Sequence, residues 1–240
     1  MSLSSRPGGL FITGTDTEIG KTAITAGLTW ALAERGLRVA PVKPLAAGQQ
    51  WAGGRWVNED VQQLQAAQRL GLTDAEVGPL QLKTPCAPHI AAQLEGHPLD
   101  REAILDSVRR LQARAEVVLV EGVGGFRVPL LPGFDTADLA QALAYPVLLV
   151  VGLRLGCINH ALLTAEAIRA RGLRLCAWVA NTVDPAMPHV EDNLKALQDG
   201  LQAPCWGHVP RLSALAAPPR PDAVAAAVAP HLSAIHWPVC

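Results

Sequence analysis

Gly14-Thr15-Asp16-Thr17-Glu18-Ile19-Gly20-Lys21-Thr22 decides how this chain is read. The segment lies between a short apolar run, residues 10–13, and a helical pattern, residues 21–35. In that pattern Ile24, Leu28, Ala31 and Leu32 fall on one face, and Gly36 is placed to end it. A polar, glycine-bounded loop between a strand and a helix is the setting of a phosphate-binding loop. Backbone N–H groups around Gly20 can form an anion nest, and the helix amino end adds partial positive charge. Lys21 is placed to reach the β- and γ-phosphates of a nucleotide, and the Thr22 hydroxyl to join a magnesium ion. The usual pattern is G-x-x-x-x-G-K-[ST]. Here Thr15 takes the first glycine place and Gly14 sits one residue earlier, so the loop is a variant. Dimerising switch ATPases carry a second lysine five places before the loop lysine. That place is Asp16, which weighs against their class.

Outward from the loop, the pattern predicts a strand at 38–42, stopped by Pro44, then a glycine- and tryptophan-bearing loop at 48–56. Asn58 is placed to cap a helix running to about residue 70, with Glu59 and Asp60 in its first turn. Residues 71–98 are proline-rich and read as irregular. A helix at 99–114 and a buried strand at 117–120 follow. The strand ends in Glu121 and the turn Gly122-Val123-Gly124-Gly125. Further expectations are a helix near 136–144, a strand at 147–151, a loop at 152–157 and a helix at 159–171. A strand near 175–180, a helix at 190–201 and a short strand ending at Val209 come next. From Ala214 the pattern suggests a loop and a last helix, with residues 237–240 fraying. Strands alternating with helices predict an α/β, three-layer fold of the phosphate-loop type. Its sheet is mostly parallel and covered by helices on both faces. Crossovers should be right-handed, and ligands should sit at the carboxyl ends of the strands. No internal repeat or linker divides the 240 residues, so one domain over 1–240 is expected.

Composition removes several classes. Half of the residues are apolar and the mean hydropathy is +0.21, yet no apolar run approaches the roughly 18 residues of a membrane span. A net charge of −1 gives no global field for nucleic acid or anionic membranes. Residues 1–9 hold one arginine and no apolar signal region, so a cytoplasmic protein is expected. The five cysteines are widely spaced without a CxxC, which predicts reduced thiols rather than a disulfide framework or zinc site. The seven histidines make no metal pattern: six read as loop or surface residues, and His160, at a helix start, as a local hydrogen-bonding residue.

Three further residues can carry chemistry. Glu121 ends an apolar strand in the manner of an acid that holds magnesium directly or through water; the other reading is an ordinary acid at the start of a glycine-rich turn. Asp60 is open to two readings: such a ligand, or an acid that merely complements the helix dipole. Lys43, just past the second strand, is either a solvent-facing strand end or a charge that neutralises phosphoryl transfer.

Taken in order, the motifs resemble the dethiobiotin synthetase family. The loop is similar to its G-T-D-T-x-V-G-K-T, and Lys43-Pro44 to its K-P-x-x-S-G. Pro88-His89, Val120-Glu121-Gly122-Val123-Gly124-Gly125, Leu155-Gly156-Cys157-Ile158-Asn159-His160 and Trp178-Val179-Ala180-Asn181 resemble further family segments. The resemblance spans about residues 9–213. It implies an ATP- and Mg2+-dependent cyclo-ligase acting on 7,8-diaminononanoate. Carbon dioxide or bicarbonate supplies a carbamate, ATP phosphorylates it, and the second amine closes a cyclic urea. By the same resemblance Thr22, Asp60 and Glu121 would hold magnesium. Glu18, Ile19, Gly20, Lys21, Thr22 and Ala23 would wrap the phosphates, with Gly122, Val123 and Gly124 nearby. Asn181 and Thr182 would face the base, lined by Pro210, Arg211 and Leu212. Thr17, Lys43 and Lys21 would act on the reacting carbamate. Gly156, Cys157, Ile158 and Asn159 would receive the substrate carboxylate of a neighbouring subunit, which implies a homodimer. Where the family usually has serine this chain has Ala47, losing a hydroxyl expected to bond the substrate; Gln49 or a water is the expected substitute.

Two other readings stay open from the sequence. One is another amidoligase of the same fold, which would usually carry a glutaminase domain that residues after 213 leave no room for. The other is a nucleotide-controlled switch ATPase, against which Asp16 argues.

Overall fold

The computed structural model describes residues 8–212 and 220–232. The chain runs β1 (Gly8–Gly14), α1 (Lys21–Glu34), β2 (Val39–Val42), β3 (Leu45–Ala47), β4 (Gln50–Ala52), β5 (Arg55–Val57) and α2 (Glu59–Ala67). It continues through α3 (Asp74–Val77), β6 (Leu80–Leu82), α4 (Pro88–Leu94), α5 (Arg101–Gln112), β7 (Val117–Glu121), β8 (Pro129–Leu131) and β9 (Phe134–Asp135). Then come α6 (Thr136–Leu143), β10 (Val147–Leu153), α7 (Cys157–Ala170), β11 (Leu175–Thr182), α8 (Val190–Leu201), β12 (Cys205–Val209) and α9 (Pro221–Val228), closed by a 3-10 turn, Ala229–His231.

Six strands form one parallel sheet in the order β12-β11-β10-β1-β7-β2. β1 pairs with β7 on one edge and β10 on the other, and six of its seven residues are buried. Residues along the strands alternate between two cores. Leu10, Ile12, Leu119 and Val150 pack with Ile24, Leu28, Val224 and Val228 of α1 and α9. Phe11, Val118, Val120 and Leu149 pack with Ile104, Val108, Ala137 and Ala161 of α5, α6 and α7. Helices thus cover both faces, as the alternation of strands and helices predicts.

α1 is buried beyond the single face read from its sequence, since it lies between the sheet, α2 and α9. Gly27 permits the close approach: a Cβ there would lie 2.4 Å from Val228. The buried hydroxyls of Thr25 and Thr29 donate to the Lys21 and Thr25 carbonyls at 2.9 and 2.8 Å, so neither is left unpaired.

Residues 71–98 are not irregular. Thr73 and Glu76 form a reciprocal cap on α3, β6 pairs in parallel with β3, and Pro88 starts α4. These pieces are three to seven residues long, too short for helical or strand periodicity to register. Residues 48–56 are not a simple loop either. β4 and β5 form an antiparallel hairpin whose two-residue turn, Gly53-Gly54, has φ values of 59° and 78°. Both glycines are in the left-handed region that such a turn demands. Among the described residues the last α-helix is α9. Residues 237–240, read as fraying, lie outside the described residues. Among the described residues no helix is long and apolar enough to cross a membrane, and Cys86, Cys157, Cys176 and Cys205 are free thiols.

Candidate active site

The carboxyl ends of β2, β7 and β1, adjacent in the sheet, bring the polar residues together. Val42 pairs with Val120, so Lys43 and Glu121 are the next residues on neighbouring strands. Ile12 pairs with Glu121, which sets the phosphate loop beside the same point.

The loop turns into α1 at Gly20, where φ is 87°. A Cβ there would meet the Asn181 amide nitrogen at 2.3 Å, so geometry and space both require glycine. Glu18 also sits in the left-handed region, at φ 56°, an uncommon place for a non-glycine residue. Ile19 turns inward and is buried against Gly14 and Gly152, which anchors the loop to the core beneath it. Asn181 donates to the Ile19 carbonyl at 2.8 Å and braces the loop from the end of β11. Thr17 and Glu18 are exposed at the tip.

Behind the loop lies a charged cluster. Lys43 Nζ donates to Glu121 Oε1 at 2.8 Å and to Asp60 Oδ2 at 2.5 Å. Thr22 Oγ1 donates to the same Glu121 oxygen at 2.8 Å. Lys21 Nζ reaches the Asp16 carbonyl at 2.7 Å. Asp60 is placed by Asn58, whose side chain accepts from Val61 N at 3.2 Å and donates to the Ala47 carbonyl at 3.2 Å. One residue therefore caps α2 and ties it to β3.

Burial favours the neutral form of both lysines, but their partners differ. For Lys43 the burial penalty is outweighed by Glu121 and Asp60, and its pKa is raised above the ordinary value. For Lys21 burial dominates; the charge of Lys43 adds to it, the carboxylates only partly offset it, and the pKa falls to about 8. Asp60 is opposed by burial but held below the usual carboxylate value by Lys43, with help from Thr22 and Lys21.

The residues suit a hard cation. Thr22, Asp60 and Glu121 supply oxygen donors, and Glu121 Oε2 is buried without a partner, as a metal-facing lone pair would be. Two carboxylates and a hydroxyl match the sparse set that magnesium takes while keeping several waters.

A cavity of about 810 Å³ opens over this cluster. Thr17, Glu18, Gly20, Lys21, Thr22 and Ala23 line one side with Lys43, Asp60 and Glu121; Val123 and Gly124 of the turn after β7 border them. Ala47, Pro85, Cys86, Ala87, Pro88 and Val128 give it an apolar wall. Gly122 packs its backbone on Phe11 beneath. Gln49 is not the substitute for the missing serine hydroxyl: its amide donates to Gln81 at 3.3 Å beside a separate small cavity. Gln50, the next residue, lines the large cavity, as does Gln63 one turn beyond Asp60. The sequence reading passed over Gln50, Gln63 and Cys86. Helical spacing from Asp60 was the signal available for Gln63; Cys86 stood in a stretch read as irregular.

The remaining sequence-predicted residues are not among those that line the cavity. Asn181 pairs with Val209, so Thr182 and Pro210 follow at neighbouring strand ends, with Arg211 exposed and Leu212 partly buried. His208 is not a loop residue: it lies in β12, where its Nε2 meets the Thr182 hydroxyl at 2.8 Å and burial lowers its pKa. Gly156, Ile158 and Asn159 stand at the start of α7, but Cys157 is buried and its N–H donates to the Arg154 carbonyl at 3.0 Å. The N–H groups of Ile158 and Asn159 are therefore better placed than that of Cys157 to receive an anion there.

A family profile described as an AAA domain matches residues 8–219. The chain is 51% identical over 209 residues to a protein of Aromatoleum aromaticum named ATP-dependent dethiobiotin synthetase BioD, covering 87% of this chain and 93% of that one. It is 52% identical over 217 residues to a protein of the same name from Ralstonia nicotianae, covering 90% and 92%. Among solved structures, the MinD cell division protein of Aquifex aeolicus is similar over 97% of this chain and 100% of its own, with a TM-score of 0.54 and 19% identity. That likeness concerns the fold alone.

Proposed function

The chain belongs to the ATP-dependent dethiobiotin synthetase family, and on that premise we propose that it closes the ring of dethiobiotin in the cavity between the phosphate loop and Lys43. It is an ATP-dependent ligase of biotin biosynthesis. The observation that carries the assignment of residues is the meeting of Lys43, Asp60, Glu121 and Thr22 at the mouth of the phosphate loop.

In this reading one amine of 7,8-diaminononanoate attacks carbon dioxide, forming a C–N bond and losing a proton. A carbamate oxygen then attacks the γ-phosphorus of ATP, and ADP leaves. The second amine attacks the carbonyl carbon of the resulting carbamic-phosphoric anhydride. The C–O bond to phosphate breaks, a proton is lost, and the cyclic urea is released. The apolar wall from Ala47 to Val128 takes the aliphatic part of the substrate, while Thr17 at the loop tip and Lys43 contact the carbamate. Lys43 is held as an ammonium by its two carboxylates, and with Lys21 it offsets the negative charge that builds on the transferring group. Phosphoryl transfer of this kind relies mainly on positioning and charge. Thr22, Asp60 and Glu121 would hold magnesium, which supplies charge neutralisation at the phosphates when bound.

Asn181, Thr182 and the 210–212 segment form the base end of the ATP site. Asn181 serves it partly by bracing the loop at Ile19. The working unit is a homodimer in which Gly156, Ile158 and Asn159 receive the substrate carboxylate. In support, Leu155, Leu162 and Leu163 are 94%, 39% and 58% exposed beside that loop, an apolar surface of the kind that subunits cover. The reading is tested with 13C-labelled bicarbonate, ATP, magnesium and the diamine. Carbon-13 should enter the ring carbonyl of the product; a product without it, or none, would sink the proposal.

A further inference from the structure

Asp16 occupies the place where switch ATPases put a second lysine, and the function proposed above gives it no task. In the structure it makes three polar contacts. Its Oδ2 pairs with the Arg154 guanidinium, its Oδ1 accepts the Thr17 N–H at 2.8 Å, and its carbonyl accepts from Lys21 Nζ at 2.7 Å. Arg154 follows β10 directly and opens the turn into α7, whose first residue donates back to the Arg154 carbonyl at 3.0 Å. A single guanidinium thus links the turn before α7 to the tip of the phosphate loop.

We infer that Arg154 is a positioning residue that holds Thr17 and Lys21 in register through Asp16. The backbone at this point needs such help. Thr17 is exposed, and Glu18 beside it is held in the left-handed region, a conformation that persists only where surrounding contacts impose it. Asp16 provides one contact on each side of the tip, and Arg154 fixes the carboxylate that makes the first of them. Both side chains of the pair are nearly half exposed, at 43% and 46%. Such a pair contributes little to global stability. Its effect should therefore fall on the geometry of the loop and leave the fold intact. The inference rests on the proposed function for its catalytic consequence, while its structural part stands on the contacts alone.

Arg154→Gln, Arg154→Lys, Asp16→Asn and the Arg154→Gln/Asp16→Asn double variant separate positioning from bulk stability. In the full-length enzyme, Arg154→Gln and Asp16→Asn should each lower kcat by about ten- to a hundredfold, up to the scale of a reacting group misplaced by about 1 Å. The melting temperature should stay close to that of the parent, and Arg154→Lys should recover much of the rate. The double variant should be no slower than either single one, because both remove the same link. Amide exchange at Thr17 should accelerate in Arg154→Gln. Multiplying losses in the double variant, an unchanged kcat, or a loss that follows the melting temperature would each overturn the inference. Should the parent itself show no diamine-dependent turnover, the proposed function falls, and exchange at Thr17 alone decides the link: faster exchange upholds it and unchanged exchange rejects it.

Discussion

Lys43 and Glu121 follow paired positions on adjacent parallel strands, and their Nζ and Oε1 atoms meet at 2.8 Å with the Glu121 side chain wholly buried. The strand register alone sets the pair. It leaves a lysine charged inside the protein beside the loop that receives phosphates, and Asp60 completes its neutralisation from α2. Burial of an ammonium at this point costs stability that only its two partners offset.

Removing that ammonium should therefore cost both rate and stability. Lys43→Gln should lower kcat by about 10² to 10³, the scale of losing one charge-stabilising group. Two carboxylates left without their cation should reduce unfolding free energy by about 3 kcal/mol. Far-ultraviolet circular dichroism should still report the folded chain. An unchanged kcat would remove Lys43 from the chemistry.

Lys21 makes affinity depend on pH. Its folded pKa, about 8, lies below the free-lysine value of 10.5. Between those values the unfolded chain binds more protons, so this group makes stability rise with pH across that window. Phosphate favours the charged lysine, so the sign for ligand binding is opposite: ATP affinity should fall as pH rises above 8. Calorimetry at pH 8.5 in two buffers of different ionisation enthalpy should show uptake of on the order of 0.5 proton per ATP bound. Proton release, or affinity that rises from pH 8 to 9, would contradict the assignment.

Asp60 is the most accessible of the oxygen donors and the safest to alter. Asp60→Asn should raise the magnesium concentration for half-maximal phosphate release by about tenfold, since a charged ligand becomes a neutral one. A magnesium titration that superimposes on the parent would exclude Asp60 from the metal site.

Ala47 lines the cavity at the position where the motif resemblance implies a serine. Ala47→Ser adds one hydroxyl, worth about 1 kcal/mol if it finds a partner, or roughly fivefold in the KM for the diamine. The KM for ATP should not move. An unaltered diamine KM would mean that Gln50, Gln63 or water already serves that contact.

Much of this architecture was legible in the chain. Buried strands such as Val147–Leu153 are continuous apolar runs, helices such as Val190–Leu201 carry helical periodicity, and the glycine-bounded loop stands between the first strand and the first helix. Asn58 was readable as a cap because its side-chain chemistry is local. The elements between residues 71 and 98 were not, because each is short and is held by tertiary pairing such as β6 on β3. The Gly53-Gly54 hairpin did have a local signal, the paired glycines, which the tryptophans on either side obscured. At the site, single residues were visible but their partners were not. Lys43 was found beside Pro44, but its contact with Glu121 spans 78 residues and depends on strand register. The link from Arg154 to Asp16 spans 138 residues, and no local pattern announces it.

The most direct test of the central claim is the coupling of ATP consumption to ring closure. Purified protein, ATP, magnesium, bicarbonate and 7,8-diaminononanoate should yield phosphate and dethiobiotin in equal amounts, with phosphate release negligible when the diamine is omitted. Phosphate released at the same rate without the diamine, or cyclic urea formed without ATP being consumed, would contradict the account.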